Sequence, residues 1–300
     1  MDACEFEQVD YAVADHVATV TLNRPDRRNA WTGRMAIEYR WALHHAEHEA
    51  DVGAIVVTGA QNAFCVGADI EILREVNEAG GAYQRLVAEL PPFPAGSPAA
   101  LRHNHTYPLS LSKPVVAAIN GPCAGAGFVV ACFADLRIAA EDVKITPSFA
   151  GLGLPAEYGT AWLLPRIVGL QNALEMLLTN AVMTGQEALE FGFVRRCWPK
   201  DGFLERVQDF ARNIARHSSP SALAVMKRQL YVDANGDLES AYLRAVQDMD
   251  RMVGEPDYAT GLAAVTARRR PVFRPAPAQP PQPPQPSEPP QPPEPAKEES

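Results

Sequence analysis

The chain has 300 residues, of which 47% are hydrophobic and 21% charged, values typical of a globular protein with a sizeable core. Its formal net charge is −9 and no basic block stands out, which argues against nucleic acid and anionic membranes as partners. The sequence contains no apolar run of roughly eighteen residues and no basic start followed by an apolar stretch, so it predicts neither a membrane span nor a signal peptide.

The early part of the chain alternates between strand and helix patterns. Residues 17–22 alternate as a strand does, and residues 54–58 form a short apolar run bounded by glycine. Between them, residues 32–50 carry apolar side chains at helical spacing, with Thr32 as the predicted N-cap. Residues 115–119 and 136–139 are two further predicted strands, each followed by a turn and a helix. This alternation predicts an α/β fold.

Three later regions divide the chain further. Residues 90–113 are broken by prolines and predict a long loop or short helices inserted into a core of residues 1–200. Residues 201–270 predict a helical section, packed on the core or on a neighbouring subunit, and its helices are expected at 203–216, 220–232, 238–253 and 258–269. Residues 271–300 are rich in proline, glutamine and glutamate, which predicts an extended, solvated tail. Its P-x-x-P runs leave open whether it docks a partner or serves as a solubilising appendage.

The five cysteines stand singly, mostly among apolar residues, at positions 4, 65, 123, 132 and 197. None belongs to a C-x-x-C pair, which indicates buried, reduced thiols in a cytoplasmic protein. We expect Cys65 to act in packing, because no paired histidine marks it as a nucleophile.

The most informative stretch is residues 113–127, KPVVAAINGPCAGAG, where an apolar strand leads through small residues into a helix. Small residues let a ligand approach the backbone, and the free N–H groups at a helix start suit a negatively charged oxygen of a phosphate or an enolate. A dinucleotide site is the rival interpretation of Gly125 and Gly127. Such a site needs an acidic residue roughly 20 positions after the first glycine, and Glu141 and Asp142 lie too near to Gly125 for that role. The helix between Gly127 and the next strand would also be too short, so we disfavour this interpretation.

Three motifs in order resemble those of the crotonase superfamily of enoyl-CoA hydratases and isomerases. They are TGAQNAFCVGADI at 58–70, the 113–127 stretch continuing to ADLRIA at 134–139, and GLPAEYGTAWLLPRIVG at 153–169; weaker echoes are LNRPDRRNA at 22–30 and RPVF at 270–273. The resemblance covers about residues 6–273. It implies a spiral of β-β-α units, a C-terminal helical trimerisation section, homotrimers or homohexamers, and an acyl-CoA thioester as substrate, with no further cofactor and no metal.

The resemblance also implies the catalytic groups. The backbone N–H groups of Val66 and Ala126 would hold the enolate oxygen, as two fixed donors in a dry site do. The two glutamates of the family's hydratases fall at Val129 and Phe149, so neither is present. Glu157 stands where the family's isomerases carry their single acid/base glutamate, and one carboxylate suits a 1,3-proton shift. Alternatively, Glu157 is an acidic residue in the first turn of the following helix, where its negative charge interacts favourably with the helix dipole.

Coenzyme A contacts are expected on the segment at 22–30 and on the motif at 58–70. Charge and family position make Arg24, Arg27 and Arg28 candidates for its phosphates, unless they simply face solvent. The contacts implied on the motif at 58–70 are Ala68, Asp69 and Ile70, and Asp69 is also expected to fix the turn.

Two histidine clusters leave alternatives open. His44 and His48, with His45 and Glu47 beside them, have the spacing of a metal pair, but we favour surface-helix histidines because no distant ligands accompany them. His103, His105 and Tyr107 could supply a second polar group to the acyl pocket, although we expect a solvated loop.

Together these features predict enoyl-CoA isomerisation through an enolate. An enoyl-CoA hydratase proper, or a non-catalytic acyl-CoA-binding protein on the same fold, are the alternatives.

Overall fold

The computed structural model describes residues 5–80, 90–233 and 236–274. Cys4 and the part of the predicted tail beyond residue 274 lie outside these residues. Across the described ranges, no helix is both long enough and apolar enough to cross a bilayer.

A six-stranded sheet forms the centre of the fold. The strands of the described residues are β1 (Val9–Ala14), β2 (Val17–Leu22), β3 (Ala54–Gly59), β4 (Val115–Ile119), β5 (Cys123–Ala124), β6 (Leu136–Ala140), β7 (Ile145–Thr146) and β8 (Arg196–Trp198). The sheet has the order β1-β2-β3-β4-β6-β8, antiparallel between β1 and β2 and parallel elsewhere. Every residue of β3 and β4 is buried, as expected of continuous apolar runs in a parallel sheet covered on both faces. The four predicted strands are confirmed.

A second, smaller layer follows the strands of this sheet. β5 pairs with β7 in parallel, and isolated bridges join Cys65 to Cys123 and Trp31 to Ala68. The chain therefore passes from a strand of the large sheet to a short segment of the second layer and then into a helix. This repeating β-β-α unit is the predicted spiral, and the α/β fold class is confirmed.

Helices cover both faces of the sheet. In the described residues they are α1 (Gly33–His48), α2 (Ile70–Glu78), α3 (Tyr107–Ser110), α4 (Ala126–Cys132), α5 (Thr160–Val168), α6 (Leu170–Leu178), α7 (Gly185–Glu190), α8 (Phe203–His217), α9 (Pro220–Val232), α10 (Leu238–Met252) and α11 (Pro256–Thr266). The Thr32 hydroxyl accepts a hydrogen bond from the Met35 N–H and caps α1, as predicted. α1 packs on β1 and β2, while α8 packs on β2, β3 and β4.

The four predicted C-terminal helices are present as α8 to α11, and α9 is anchored to the core. Its Lys227 ammonium is buried and donates to Asp135 Oδ2 at 2.6 Å and to the carbonyl oxygens of Pro108 and Lys113. α10 and α11 instead expose large apolar side chains in the single chain, such as Leu238 and Tyr242. The domain boundaries at residues 200 and 270 stay predictions.

Residues 90–113 form short helical pieces, a 3-10 turn at Ala99–Leu101 and α3, as predicted. The expectation of a solvated loop is wrong for Tyr107, however, which is only 1% exposed. The guanidinium of Arg40 from α1 lies over the Tyr107 ring and donates to Asn104 Oδ1 at 2.6 Å and to the Pro91 carbonyl at 2.7 Å. Of the three polar candidates in this segment, only His103 is exposed.

The histidines of α1 lie beside structural groups. The Glu47 carboxylate is buried and accepts hydrogen bonds from the N–H groups of Ser112 and Lys113, so it helps to fix the start of β4. His44 is half-buried beside the Tyr107 hydroxyl at 3.2 Å, while His48 is exposed. In the part of the chain that the structure describes, no cluster of three or more histidine, cysteine, aspartate or glutamate side chains could hold a metal ion.

Candidate functional site

The segment that carries Val66 is held on both sides by backbone hydrogen bonds. On one side, the Cys65 N–H donates to the Pro122 carbonyl at 3.1 Å and the Cys65 carbonyl accepts from the Ala124 N–H at 2.9 Å. On the other side, the Gly67 carbonyl accepts from the Trp31 N–H at 2.7 Å. Segments on both sides thus fix it in place, and Cys65 itself is fully buried. Burial raises the pKa of the Cys65 thiol to about 12, which supports its predicted packing role.

Glycines allow this segment to lie against the start of α4. Gly67 and Gly125 have φ angles of +105° and +49°, and a Cβ placed on Gly125 would lie 3.5 Å from the Gly67 Cα. A Cβ on Gly127 would lie only 2.2 Å from the Cys65 carbonyl oxygen. Tight packing therefore does explain Gly127. The same packing brings the first turn of α4 beside the Val66 segment.

The two predicted donors share one cavity. Val66 and Ala126 both line a cavity of about 560 Å³. Within the described residues, neither backbone N–H donates to an acceptor: Val66 lies outside the strands, and Ala126 begins α4. Two unsatisfied amides from adjacent segments are thus available to a ligand oxygen in this cavity.

Glu157 lies in the wall of the same cavity. It begins a 3-10 turn, Glu157–Gly159, in which Tyr158 and Gly159 adopt left-handed φ angles of 50° and 87° before α5 starts. No hydrogen bond or ion pair holds its half-buried carboxylate in the residues that the structure describes. Burial raises the pKa of Glu157.

The two positions of the hydratase glutamates are apolar and buried. Val129 lies in the core at 0% exposure, and Phe149 lines the cavity at 3% exposure. Sequence reasoning missed two polar residues in the cavity wall, Ser148 and Asn180. Both adopt left-handed backbone conformations, and Asn180 Oδ1 is buried with no hydrogen-bond partner among the described residues. Nothing in the sequence around either residue signals a place in the cavity.

Arg24 makes two side-chain hydrogen bonds within the fold. Its Nη1 atom donates to Asp69 Oδ2 at 2.8 Å and to the Ala30 carbonyl at 2.7 Å. Asp69 in turn caps α2 by accepting from the Glu71 N–H at 3.1 Å, as expected of a residue that fixes the turn. Burial opposes ionisation of Asp69, but the hydrogen bonds from Arg24 and Glu71 and the charge of Arg24 outweigh it and hold the pKa of Asp69 below its usual range.

The other candidates for coenzyme A contacts divide between the cavity and the surface. Arg27, Ala68, Asp69 and Ile70 line the cavity, and Arg27 also forms an exposed ion pair with Glu71. Arg28 is exposed in a left-handed conformation and lies outside the cavity lining. The roles of all six predicted contact residues stay predictions.

Comparison with known proteins agrees with this geometry. The family model described as enoyl-CoA hydratase/isomerase matches residues 13–275. The chain is 32% identical to 4-chlorobenzoyl coenzyme A dehalogenase-1 from Arthrobacter sp over 83% of its length and 87% of the relative. It is 30% identical to 1,2-epoxyphenylacetyl-CoA isomerase from Escherichia coli (strain K12), over 86% and 94% of the two chains.

A solved structure extends the agreement to the fold. The enoyl-CoA hydratase from Bacillus anthracis is 27% identical to the chain, with a TM-score of 0.77 over 89% of this chain and 99% of that protein. The match spans the sheet, the second layer and the C-terminal helices together. The chain is therefore an enzyme of the enoyl-CoA hydratase/isomerase family, within the crotonase superfamily.

Proposed function

We propose that this enzyme shifts a carbon–carbon double bond in an enoyl-CoA thioester through an enolate, with Glu157 as the single acid and base. One observation carries the proposal. Among the described residues, the cavity wall holds two carboxylates, and Asp69 is already paired with Arg24. Glu157 is the carboxylate left to move a proton.

The proposed reaction returns every proton that it takes. The Glu157 carboxylate removes a proton from carbon two of a 3-enoyl thioester, and the electron pair moves onto the thioester oxygen. The N–H groups of Val66 and Ala126 stabilise that oxygen, a contribution worth about 10²–10³ in rate for each donor. Glu157 then gives the proton to carbon four, which forms the 2-enoyl thioester. Its raised pKa brings it closer to neutrality, where an acid and base works best.

The hydratase alternative is weaker because hydration needs a group that binds and activates water. Val129 and Phe149 offer none. Ser148 and Asn180 are the polar groups that could replace them in the described part of the cavity wall. We therefore place hydration second for this chain.

The substrate and the assembly form part of the proposal. Coenzyme A enters as part of the substrate and the reaction needs no further cofactor. Arg24, Arg27 and Arg28 remain the candidates for its phosphates. We also propose a homotrimer or homohexamer in the cytoplasm. Exposed apolar side chains on α10 and α11, including Leu238 and Tyr242, support association through the helical section.

The test is Glu157→Gln, which keeps the size of the side chain and removes its base. We expect the variant to bind a coenzyme A ester and to lose turnover of a panel of 3-enoyl and 2-enoyl thioesters. An active variant would remove Glu157 from the mechanism. Binding without turnover by the parent protein would instead support the non-catalytic alternative.

A dehalogenase-type displacement is the third candidate, because one relative is named 4-chlorobenzoyl coenzyme A dehalogenase-1. In it, the Glu157 carboxylate would attack the ring carbon that bears chlorine, chloride would leave, and water would hydrolyse the resulting ester. Chloride release from 4-chlorobenzoyl-CoA, with no activity on 3-enoyl thioesters, would favour this candidate.

A further inference from the structure

The turn that carries Glu157 has an unfavourable backbone conformation. Tyr158 has φ and ψ angles of 50° and 29°, a left-handed conformation that a bulky residue seldom adopts. Gly159 follows at φ 87°, so two left-handed residues come directly after Glu157. Such a conformation persists where surrounding contacts hold it.

One of those contacts is an aromatic stack from the proline-rich segment. The rings of His105 and Tyr158 lie with their centroids 3.7 Å apart and an interplanar angle of 22°. Tyr158 is 47% exposed, and the His105 ring covers part of its surface. Burial lowers the pKa of His105 to about 4, so its ring is neutral at pH 7 and stacks without a charge.

His105 rests on a fixed support. The neighbouring Asn104 side chain accepts a hydrogen bond from Arg40 at 2.6 Å, and the Thr106 hydroxyl donates to the Leu101 carbonyl at 2.6 Å. Tyr107 is fully packed beneath Arg40. Contacts on both sides of His105 thus connect its ring to α1, and α1 packs on the central sheet.

We propose that His105 is a positioning residue, which holds Glu157 at its working place in the cavity through the stack on Tyr158. The proposal rests on the proposed function of Glu157. His105 and Tyr158 are not among the described residues that line the cavity, so each acts through the turn rather than on the substrate. The proline-rich segment then serves as a brace for the catalytic turn.

The experiment compares His105→Ala with His105→Phe and with His103→Ala. His103 is an exposed histidine two residues away and serves as the matched control. We expect His105→Ala to lower kcat by roughly tenfold to a hundredfold, because small misplacements of a catalytic group cost that much, while KM stays near the parent value. His105→Phe keeps a stacking ring and should restore most of kcat, and His103→Ala should match the parent.

The pH profile separates positioning from general stability. Without the stack, water reaches the Glu157 turn more easily, so the acid limb of kcat/KM should move to lower pH in His105→Ala. Parent-like kcat in a folded His105→Ala variant overturns the proposal. So does a failure of His105→Phe to recover activity, because that result would assign the role to the ring nitrogens.

Tyr158→Gly gives the second route to the same answer, since glycine adopts a φ of 50° without strain. Its kcat should fall as in His105→Ala, and the double variant should lose little more, because the two residues act through one contact. Additive losses overturn the proposal. Glu157→Gln distinguishes the positioning role of His105 from the proposed function of Glu157. If Glu157→Gln is inactive while His105→Ala is fully active, only the positioning role fails. If Glu157→Gln stays active, the proposed function itself fails.

Discussion

Gly127→Ala should separate the two backbone amides on which the enolate chemistry depends. The added Cβ would lie 2.2 Å from the Cys65 carbonyl oxygen and 2.8 Å from the Cys65 Cβ. Such atoms do not approach closer than about 3 Å in a close-packed interior, so α4 or the Cys65 segment must move by about 0.8 Å. That displacement moves Ala126 away from Val66. We expect kcat to fall about a hundredfold, by analogy with other misplaced catalytic groups.

The assay is turnover of a 3-enoyl thioester, read beside thermal unfolding. Alanine raises helix propensity by about 1 kcal/mol while overpacking costs about 1–3 kcal/mol, so the change in stability is small and activity is the sensitive measurement. Gly261→Ala is the matched control, because it lies within α11 and its Cβ would meet nothing closer than Phe273 at 3.9 Å. It should gain the same propensity and keep full activity. A folded Gly127→Ala variant with the parent kcat would refute the paired-amide site.

Two further predictions follow from charged groups near the cavity. Glu157 must be ionised to take a proton, and burial raises its pKa. As the pH is lowered, kcat/KM of the parent should therefore begin to fall at a pH above the usual pKa range of glutamate. A fall that begins only within that range would contradict a buried base. Arg24→Ala should lower the free energy of unfolding, measured in urea at pH 7, by about 3 kcal/mol, because it leaves the buried Asp69 carboxylate without its ion-pair partner. Arg27→Ala removes only an exposed ion pair and should change the free energy of unfolding little. Since the folded state lowers the pKa of Asp69, this stabilisation is present above the unfolded pKa and is lost as pH falls through the folded pKa. The gap between parent and Arg24→Ala should therefore narrow in acid, and a constant gap would assign the loss to packing.

Local patterns were sufficient for most of the elements. The alternation of β2 and the apolar runs of β3 and β4 express the period and burial of strands, and Thr32 is a strong N-cap in any context. The prediction of a solvated position was wrong for Tyr107, because the contacts that bury it are distant in sequence. Tyr107 is buried by Arg40, and 67 residues separate them, so prolines and histidines nearby gave no sign of that contact.

The candidate site was predictable where it depends on backbone and less so where it depends on charge. Gly125 and Gly127 allow the start of α4 to lie close to the segment that carries Val66. Val66 and Ala126 both line one cavity, as predicted from the sequence. Arg24 looked equally suited to a phosphate or to solvent, because a positive charge in a sequence does not name its partner. The partner is Asp69, 45 residues away, and the pair ties the segment at 22–30 to the motif at 58–70.

The choice between hydration and a double-bond shift depends more on the apolar side chains at Val129 and Phe149 than on the presence of Glu157. Addition of water needs one group to take a proton from water and another to deliver one to carbon, unless a single group does both in turn with the water held in place. A double-bond shift needs neither water nor a second group, since the carboxylate ends each turnover in the protonation state in which it began. A half-buried carboxylate in the same cavity wall as Phe149 suits that cycle, because the Phe149 side chain offers no group that would hold a water molecule. The same argument makes the Phe149 position the place where a glutamate would most change the reaction toward hydration.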